Sequence, residues 1–261
     1  MAAQLTRRAQ RAYWMQENLH SLLPSVTRAH PDAIKRSTEG TVLHTHFPDF
    51  KLSNYPSFAD AKIEVVEEDC IFASTTLLAQ GFKPAMLNMA SNTSRGGGVL
   101  SGASAQEEDV TLRTTLWPAL LRLKYRLPDL CTAYHPGIFE IRDINHAAIT
   151  PDPSKNFAVI SSAALNRPVL KADGKFNARD YALTKAKMEL FFQTALVHGN
   201  DAIVPSAWGC GAYGQHPKWV ARCFIEVLRQ GYAHKFRRIR FAIIGGGNYQ
   251  PFAAEFAGQT F

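Results

Sequence analysis

From residue 60 onward the chain alternates short apolar runs with helical stripes. Runs of β type occupy residues 63–66, 85–90, 157–164, 202–207 and 239–245, and helical patterns separate most of them. The clearest stripe follows Gly214: Val220, Cys223, Phe224, Val227 and Leu228 recur at i, i+3, i+4, i+7 and i+8, with Pro217 near the first turn. A second helix is predicted over 178–198. Short buried strands alternating with helices predict an α/β sandwich whose sheet is covered on both faces.

The first sixty residues read differently. Leu5, Ala9, Ala12, Leu19, Leu22 and Leu23 recur at helical spacing, with Arg and Gln on the other side, which predicts a docking helix. Residues 24–60 hold four prolines and one short strand candidate at 41–47. They are too few to build a core, so they read as an irregular extension wrapped around a later one. The expectation is one domain, an accessory segment at 1–60 packed on a core at 61–261, with no internal repeat.

Composition narrows the class. With 46% hydrophobic and 20% charged residues in 261, the chain is of the folded globular type. The 29 Lys and Arg against 22 Asp and Glu leave +7, a surplus that favours polyanionic partners and bears on association, not fold. Arg7 and Arg8 are followed by no apolar segment, and no run is long enough to span a bilayer, so the reading is a soluble cytoplasmic protein without membrane contact. Cys70, Cys131, Cys210 and Cys223 form no CxxC pair and read as small buried hydrophobes. His44 and His46 share a face of the possible strand, but two ligands without an acidic cluster predict no metal. The run from His234 to Arg240 reads either as a polyanion contact or as a solvated turn. No GxxxxGK[ST], HExxH or GxSxG is present.

Two loops carry the candidate chemistry. After the run at 85–90 come Ser91-Asn92-Thr93-Ser94-Arg95, then Gly96-Gly97-Gly98, and seven residues later Gln106-Glu107-Glu108-Asp109. Three glycines let backbone approach a ligand closely, and the acids open a predicted helix with apolar positions Val110, Leu112, Leu116 and Leu120. The second loop, Trp208-Gly209-Cys210-Gly211-Ala212-Tyr213-Gly214, leads into the striped helix, where amides and the helix N-terminus suit a diphosphate. Its glycines also spell GxGxxG. A dinucleotide fold would place an acid about 20 residues on, where this chain has His234-Lys235-Phe236-Arg237-Arg238. A second triplet, Gly245-Gly246-Gly247, reads as a strand-ending turn, with a ligand-facing loop as the alternative.

Gly-Gly-Gly, seven residues, then Gln-Glu-Glu resembles the signature of the poly(ADP-ribose) glycohydrolases, and the flanks at 88–98, 103–108 and 111–121 resemble the microbial type. Arg95 departs from that pattern, where a proline or small residue often precedes the triplet. The resemblance covers roughly 60–258 and, less specifically, the N-terminal helix. It implies a macrodomain-like three-layer α/β/α sandwich with a mixed central sheet and an N-terminal helical extension. It further implies hydrolysis of ribose–ribose bonds with release of ADP-ribose, substrates among poly(ADP-ribose) or ADP-ribosylated proteins, no cofactor and no sequence-specific nucleic-acid binding. Glu108 is the implied catalyst, Glu107 holds ribose hydroxyls and Gln106 orients the loop. Asn88, Gly96, Gly97, Gly98, Gly209, Gly211, Ala212, Tyr213 and Gly214 are the implied ADP-ribose contacts, with Tyr213 over the distal ribose or diphosphate. Consecutive helical residues point about 100° apart, so the two glutamates cannot face one bond in the same way. A non-catalytic ADP-ribose-binding module, or a hydrolase of mono-ADP-ribosylated protein, shares most of these features. Paired glutamates at the ribose end argue against the first.

Overall fold

The computed structural model describes residues 6–261, so Leu5 lies outside the described residues. Seven strands are seen among them: β1 (Val42–His44), β2 (Lys62–Val66), β3 (Pro84–Met89), β4 (Thr132–Ile138), β5 (Phe157–Ser162), β6 (Ala202–Val204) and β7 (Arg238–Ala242). They form one mixed sheet in the order β1-β4-β5-β3-β6-β7-β2. β5, β3, β6, β7 and β2 run parallel, while β4 pairs antiparallel with both β1 and β5. The five strands read from the sequence are all present. β4 escaped that reading because His135, Pro136 and Gly137 interrupt its apolar pattern, and its register with β5 shifts there.

The sheet separates two cores. On one face Leu87, Ile160, Ile203, Ile239 and Phe241 pack against α7 (Ala178–Val197) and α8 (Pro217–Arg229). All five stripe residues of α8 are buried there. On the other, Met86, Ala133, Val159 and Val204 pack against α4 (Cys70–Ala79) and α6 (Leu116–Leu120). α4 was missed because its nearly uniform apolarity shows no stripe.

The expectation of irregular chain at 24–60 is corrected: α1 (Arg7–Glu17) continues through a π-helical turn at Asn18–Leu22 into α2 (Leu23–Ala29) and then α3 (Pro31–Glu39). Pro24 and Pro31 stand in the first turns of these helices, where a missing N–H costs nothing, so the same prolines that looked like breakers are starters. The polar side of α1 is also not free: Arg8 donates to the Ser101 carbonyl and Arg11 to that of Ala103, while Met15 and Asn18 are buried. Leu23, Val26 and Ile34 share a cluster with Phe139 and Ile141, and Met15 shares one with Val99 and Leu112. The extension therefore has no core apart from the sheet domain's own, and β1 closes the sheet's edge.

The run from His234 to Arg240 is structural. Lys235 is buried and donates to the Tyr55 carbonyl and Ser57 hydroxyl, Arg237 and Arg238 lie over the Phe82 ring, and Arg240 pairs with Glu64 and Glu68. The four cysteines are free thiols, three of them buried.

Candidate active site

A cavity of about 810 Å³ opens at the carboxyl ends of β3, β6 and β7. This is where the loops of a parallel sheet converge. The predicted helix over the acidic motif is two helices, α5 (Gln106–Arg113) and α6, because Thr114 bridges to Glu140 and the Thr115 N–H donates to the Phe139 carbonyl. α5 begins with the three residues that matter. Gln106 is tied to β3: its Oε1 accepts from the Met89 N–H at 2.8 Å and its Nε2 donates to the Leu87 carbonyl at 2.7 Å. With the first turn held, Glu107 Oε2 accepts from the Ser91 N–H at 2.7 Å and Glu108 Oε1 from the Gly98 N–H at 2.8 Å. Both carboxyls line the cavity, and each keeps one buried oxygen without a partner, Glu107 Oε1 and Glu108 Oε2.

Gly97 has φ +60°, and a Cβ there would overlap Glu108 Oε1 and lie 3.0 Å from Glu107 Oε2. The triplet is thus a seat for the carboxylates as well as a ligand loop. Burial, and then the facing Glu108, push Glu107 up to about 8, against the opposing pull of the Ser91 N–H and the Asn88 amide. The neighbouring Asp109 goes the other way. Burial would raise it, but hydrogen bonds from His146 (2.8 Å), Arg113 (3.1 Å) and Arg11 (3.0 Å) outweigh that and hold it well below the usual carboxylate range. Arg113 in turn reaches Asp69 and Glu140, so α5 is anchored on its outer side by α1 and by charges flanking the sheet.

The second glycine loop forms the opposite wall. Gly209 (φ +78°) is packed so tightly that a Cβ would lie 2.7 Å from the Gln215 amide and 2.8 Å from Ala164 Cβ. Gly211, by contrast, has open space around its Cβ position and no left-handed φ, so it requires glycine for neither strain nor contact inside the protein. Tyr213 is half-buried against the cavity, outside the apolar core, with its hydroxyl 3.5 Å from the Ala90 carbonyl. Burial, then Glu107 and Glu108, push its phenol up.

Of the residues singled out from the sequence, Gly97, Gly98, Gln106, Glu107, Glu108, Gly209, Gly211, Ala212 and Tyr213 line this one cavity. Three do not. Asn88 is fully buried beneath the floor and donates to Ser161 Oγ; Gly96 (φ +65°) packs on Thr111 and Trp117; Gly214 (φ +68°) turns the chain toward α8. Arg95 explains itself: its guanidinium donates to the Leu120 and Leu123 carbonyls at the end of α6 and lies over the Tyr125 ring. The second triplet is more than a turn. Gly245 (φ +89°) precedes α9 (Gly246–Phe256), and Ile244 and Asn248 line the cavity. Ser91, Thr93, Ile144 and Asn166 line it too, without a periodicity or motif that would have marked them. His44 lies 2.9 Å from His198, with the His198 ring stacked on Tyr134, and among the described residues no three metal-ligating side chains gather.

The family model described as "Microbial-type PARG, catalytic domain" matches residues 18–130, which include both the glycine triplet and Gln-Glu-Glu. The crystal structure of poly(ADP-ribose) glycohydrolase from Thermomonospora curvata superposes with a TM-score of 0.78 at 25% identity, covering 95% of this chain and 100% of that one. The chain is similar to the microbial poly(ADP-ribose) glycohydrolases. The same enzyme bound to the inhibitor ADP-HPD matches at 26% identity with a TM-score of 0.78, over 95% and 100% of the two chains. The Deinococcus radiodurans glycohydrolase in complex with ADP-ribose, at 24% identity, shares the fold with a TM-score of 0.74 over 88% of this chain and 99% of that one. A comparison with curated protein sequences yields no match. The mixed-sheet sandwich is therefore macrodomain-like, as the motif resemblance implied. Among the described residues, no helix is long and apolar enough to cross a membrane.

Proposed function

We propose that the protein is a glycosidase that hydrolyses the ribose–ribose O-glycosidic bonds of poly(ADP-ribose) and releases ADP-ribose. The observation that carries this reading is the pair of buried carboxyls, Glu107 and Glu108, each with an unpartnered oxygen, seated on a glycine loop in a cavity of about 810 Å³. A module that only bound ADP-ribose would need the glycine loops but would gain nothing from two buried acids at one end.

Hydrolysis proceeds through an oxocarbenium-like transition state, so the departing hydroxyl must gain a proton and a water must lose one. Glu107, raised to about 8, holds a proton near neutrality beside Glu108. In the reading proposed, Glu108 passes that proton to the leaving ribose oxygen as the glycosidic bond breaks. The emptied pair then takes a proton from the water that attacks the anomeric carbon, which restores the starting state. Glu107 holds the ribose hydroxyls. The Gly98 side of the first loop and the Gly209–Ala212 stretch of the second receive the diphosphate, and Tyr213 limits motion of the distal ribose. Residues 1–60 act as a brace for the catalytic unit at 61–261.

Incubating the protein with labelled poly(ADP-ribose), and separately with mono-ADP-ribosylated protein, tests this. The expected result is free ADP-ribose from the polymer. Binding of ADP-ribose without turnover, or turnover of the mono-modified protein alone, would overturn it.

A further inference from the structure

A row of polar side chains crosses the otherwise apolar sheet face beneath the cavity. Thr41, which leads into β1, donates through Oγ1 to the Ser37 carbonyl at 2.8 Å, and its oxygen is 3.0 Å from His135 Nδ1. On β4, His135 Nε2 is 3.0 Å from Ser161 Oγ on β5, and Ser161 Oγ accepts from Asn88 Nδ2 at 2.9 Å on β3. His135, Ser161 and Asn88 are each fully buried, and Asn88 pairs directly with Ser161 in the strand register. None of the three lines the cavity.

The polarity of this chain follows from counting hydrogens. Thr41 has one hydroxyl hydrogen, already given to Ser37, so His135 must donate from Nδ1. Burial depresses the imidazole to about 3, which keeps it neutral and leaves Nε2 an acceptor. Ser161 therefore donates to Nε2 and can only accept from Asn88. That requires the NH2 end of the Asn88 amide at Ser161, and the same nitrogen carries a second hydrogen. Gln106 bonds both chain neighbours of Asn88, the Met89 N–H and the Leu87 carbonyl, which sets Glu107 beside the amide; there Asn88 favours the ionised carboxyl, while Glu107 Oε1 has no partner at hydrogen-bond distance.

We infer that His135 and Ser161 are positioning residues for the reaction: their hydrogen bonds turn the amide nitrogen of Asn88 toward Glu107 and hold it there. The inference rests on the glycosidase reading above. Glu107 meets Glu108 from α5, the Ser91 N–H from the end of β3, Tyr213 from the second glycine loop and Tyr125 from beyond α6, with Arg95 over the Tyr125 ring. Burial and Glu108 disfavour its charge; the Ser91 N–H and Asn88 oppose them. Removing Ser161 Oγ frees the amide to rotate and removes one of those opposing groups. The relay begins in the N-terminal segment, so it also ties that segment to the carboxyl pair through the sheet.

Steady-state kinetics on poly(ADP-ribose) across the neutral and alkaline range, with Ser161→Ala and His135→Phe, test the inference. The expected result is a kcat lower by about 10-fold, the scale of one hydrogen bond to a charged group, with KM little changed and the alkaline limb of the rate profile moved to higher pH. Ser161→Thr, which keeps the hydroxyl, is expected to restore both. A folded Ser161→Ala protein with the parent's kcat and alkaline limb, altered only in thermal stability, would overturn it. The parent protein gives an independent readout: imidazole 15N spectra should show His135 as the neutral tautomer protonated at Nδ1, and protonation at Nε2 would overturn the relay. A parent without turnover would sink the functional reading, while the tautomer would still decide the relay.

Discussion

Gly97 and Glu108 occupy adjoining space in a way that leaves room for only one of two things, a Cβ or a carboxylate. Gly97→Ala is therefore expected to displace Glu108 from the Gly98 N–H and to cost most of the activity, while a left-handed φ adds strain; turnover per folded molecule checks it. Glu108→Gln keeps shape but removes the transferable proton, so hydrolysis should fall by about 100-fold or more with ADP-ribose affinity retained, as measured by calorimetry. Glu107 makes a prediction about stability. The fold raises its carboxyl from 4.5 to about 8, so between those values the native state binds more protons than the unfolded chain. The associated stability is complete below 4.5 and is lost as pH rises through about 8. Glu107→Gln is expected to raise Tm relative to the parent above that pH and to lose this advantage in acid.

The same logic applies to elements, where α5 depends on what braces it. Gln106 staples its first turn to β3, and its outer side is supported by Arg11 of α1 and by the amide of Asn18 in the π-helical turn, which donates to the Leu112 carbonyl at 2.7 Å. Arg142 completes this joint: fully buried, it donates to Asn18 Oδ1 at 2.7 Å, to Glu17 at 2.6 Å and to the His146 carbonyl at 2.8 Å. Arg142→Leu strips these partners at once and is expected to cost about 3 kcal/mol, read from denaturant midpoints, with activity falling as α1 loosens from α5. The second glycine loop divides by position. Gly211→Val meets open space and should fold normally while occupying part of the cavity, so ADP-ribose affinity should fall with Tm unchanged. Tyr213 stands on the cavity wall, and Tyr213→Ala is expected to lower turnover with stability preserved.

Across the whole molecule, the surplus of +7 survives internal ion pairing, because each pair removes an acid together with a base. Arg11, Arg113, Arg142 and Arg240 are consumed in internal ion pairs, and Lys235 in anchoring the 55–57 segment. The charges left outside act at long range, so kcat/KM on a long polymer should fall with added salt more steeply than on a fragment of two ADP-ribose units. Equal salt slopes for the two substrates would remove the surface charge from substrate capture.

Local pattern was enough for the strands of the parallel sheet, for α7 and α8, and for the acidic and glycine motifs, because burial periodicity and backbone freedom are written in adjacent residues. It was not enough for α2 and α3, whose prolines have two opposite local meanings, nor for β4, whose His135, Pro136 and Gly137 make sense only beside β5. The same holds for chemistry. The residue types Glu107 and Glu108 are legible in the chain, but the raised carboxyl of Glu107 depends on burial and on the facing Glu108, against groups brought from β3 that pull it down. Asn88 reads as a ligand contact in the sequence; that it is fully buried and bonded through Ser161 to His135 is visible only with three strands side by side. Short-range pattern records what each segment can form; which groups lose water, and which then face one another across the sheet, is decided only when the segments pack.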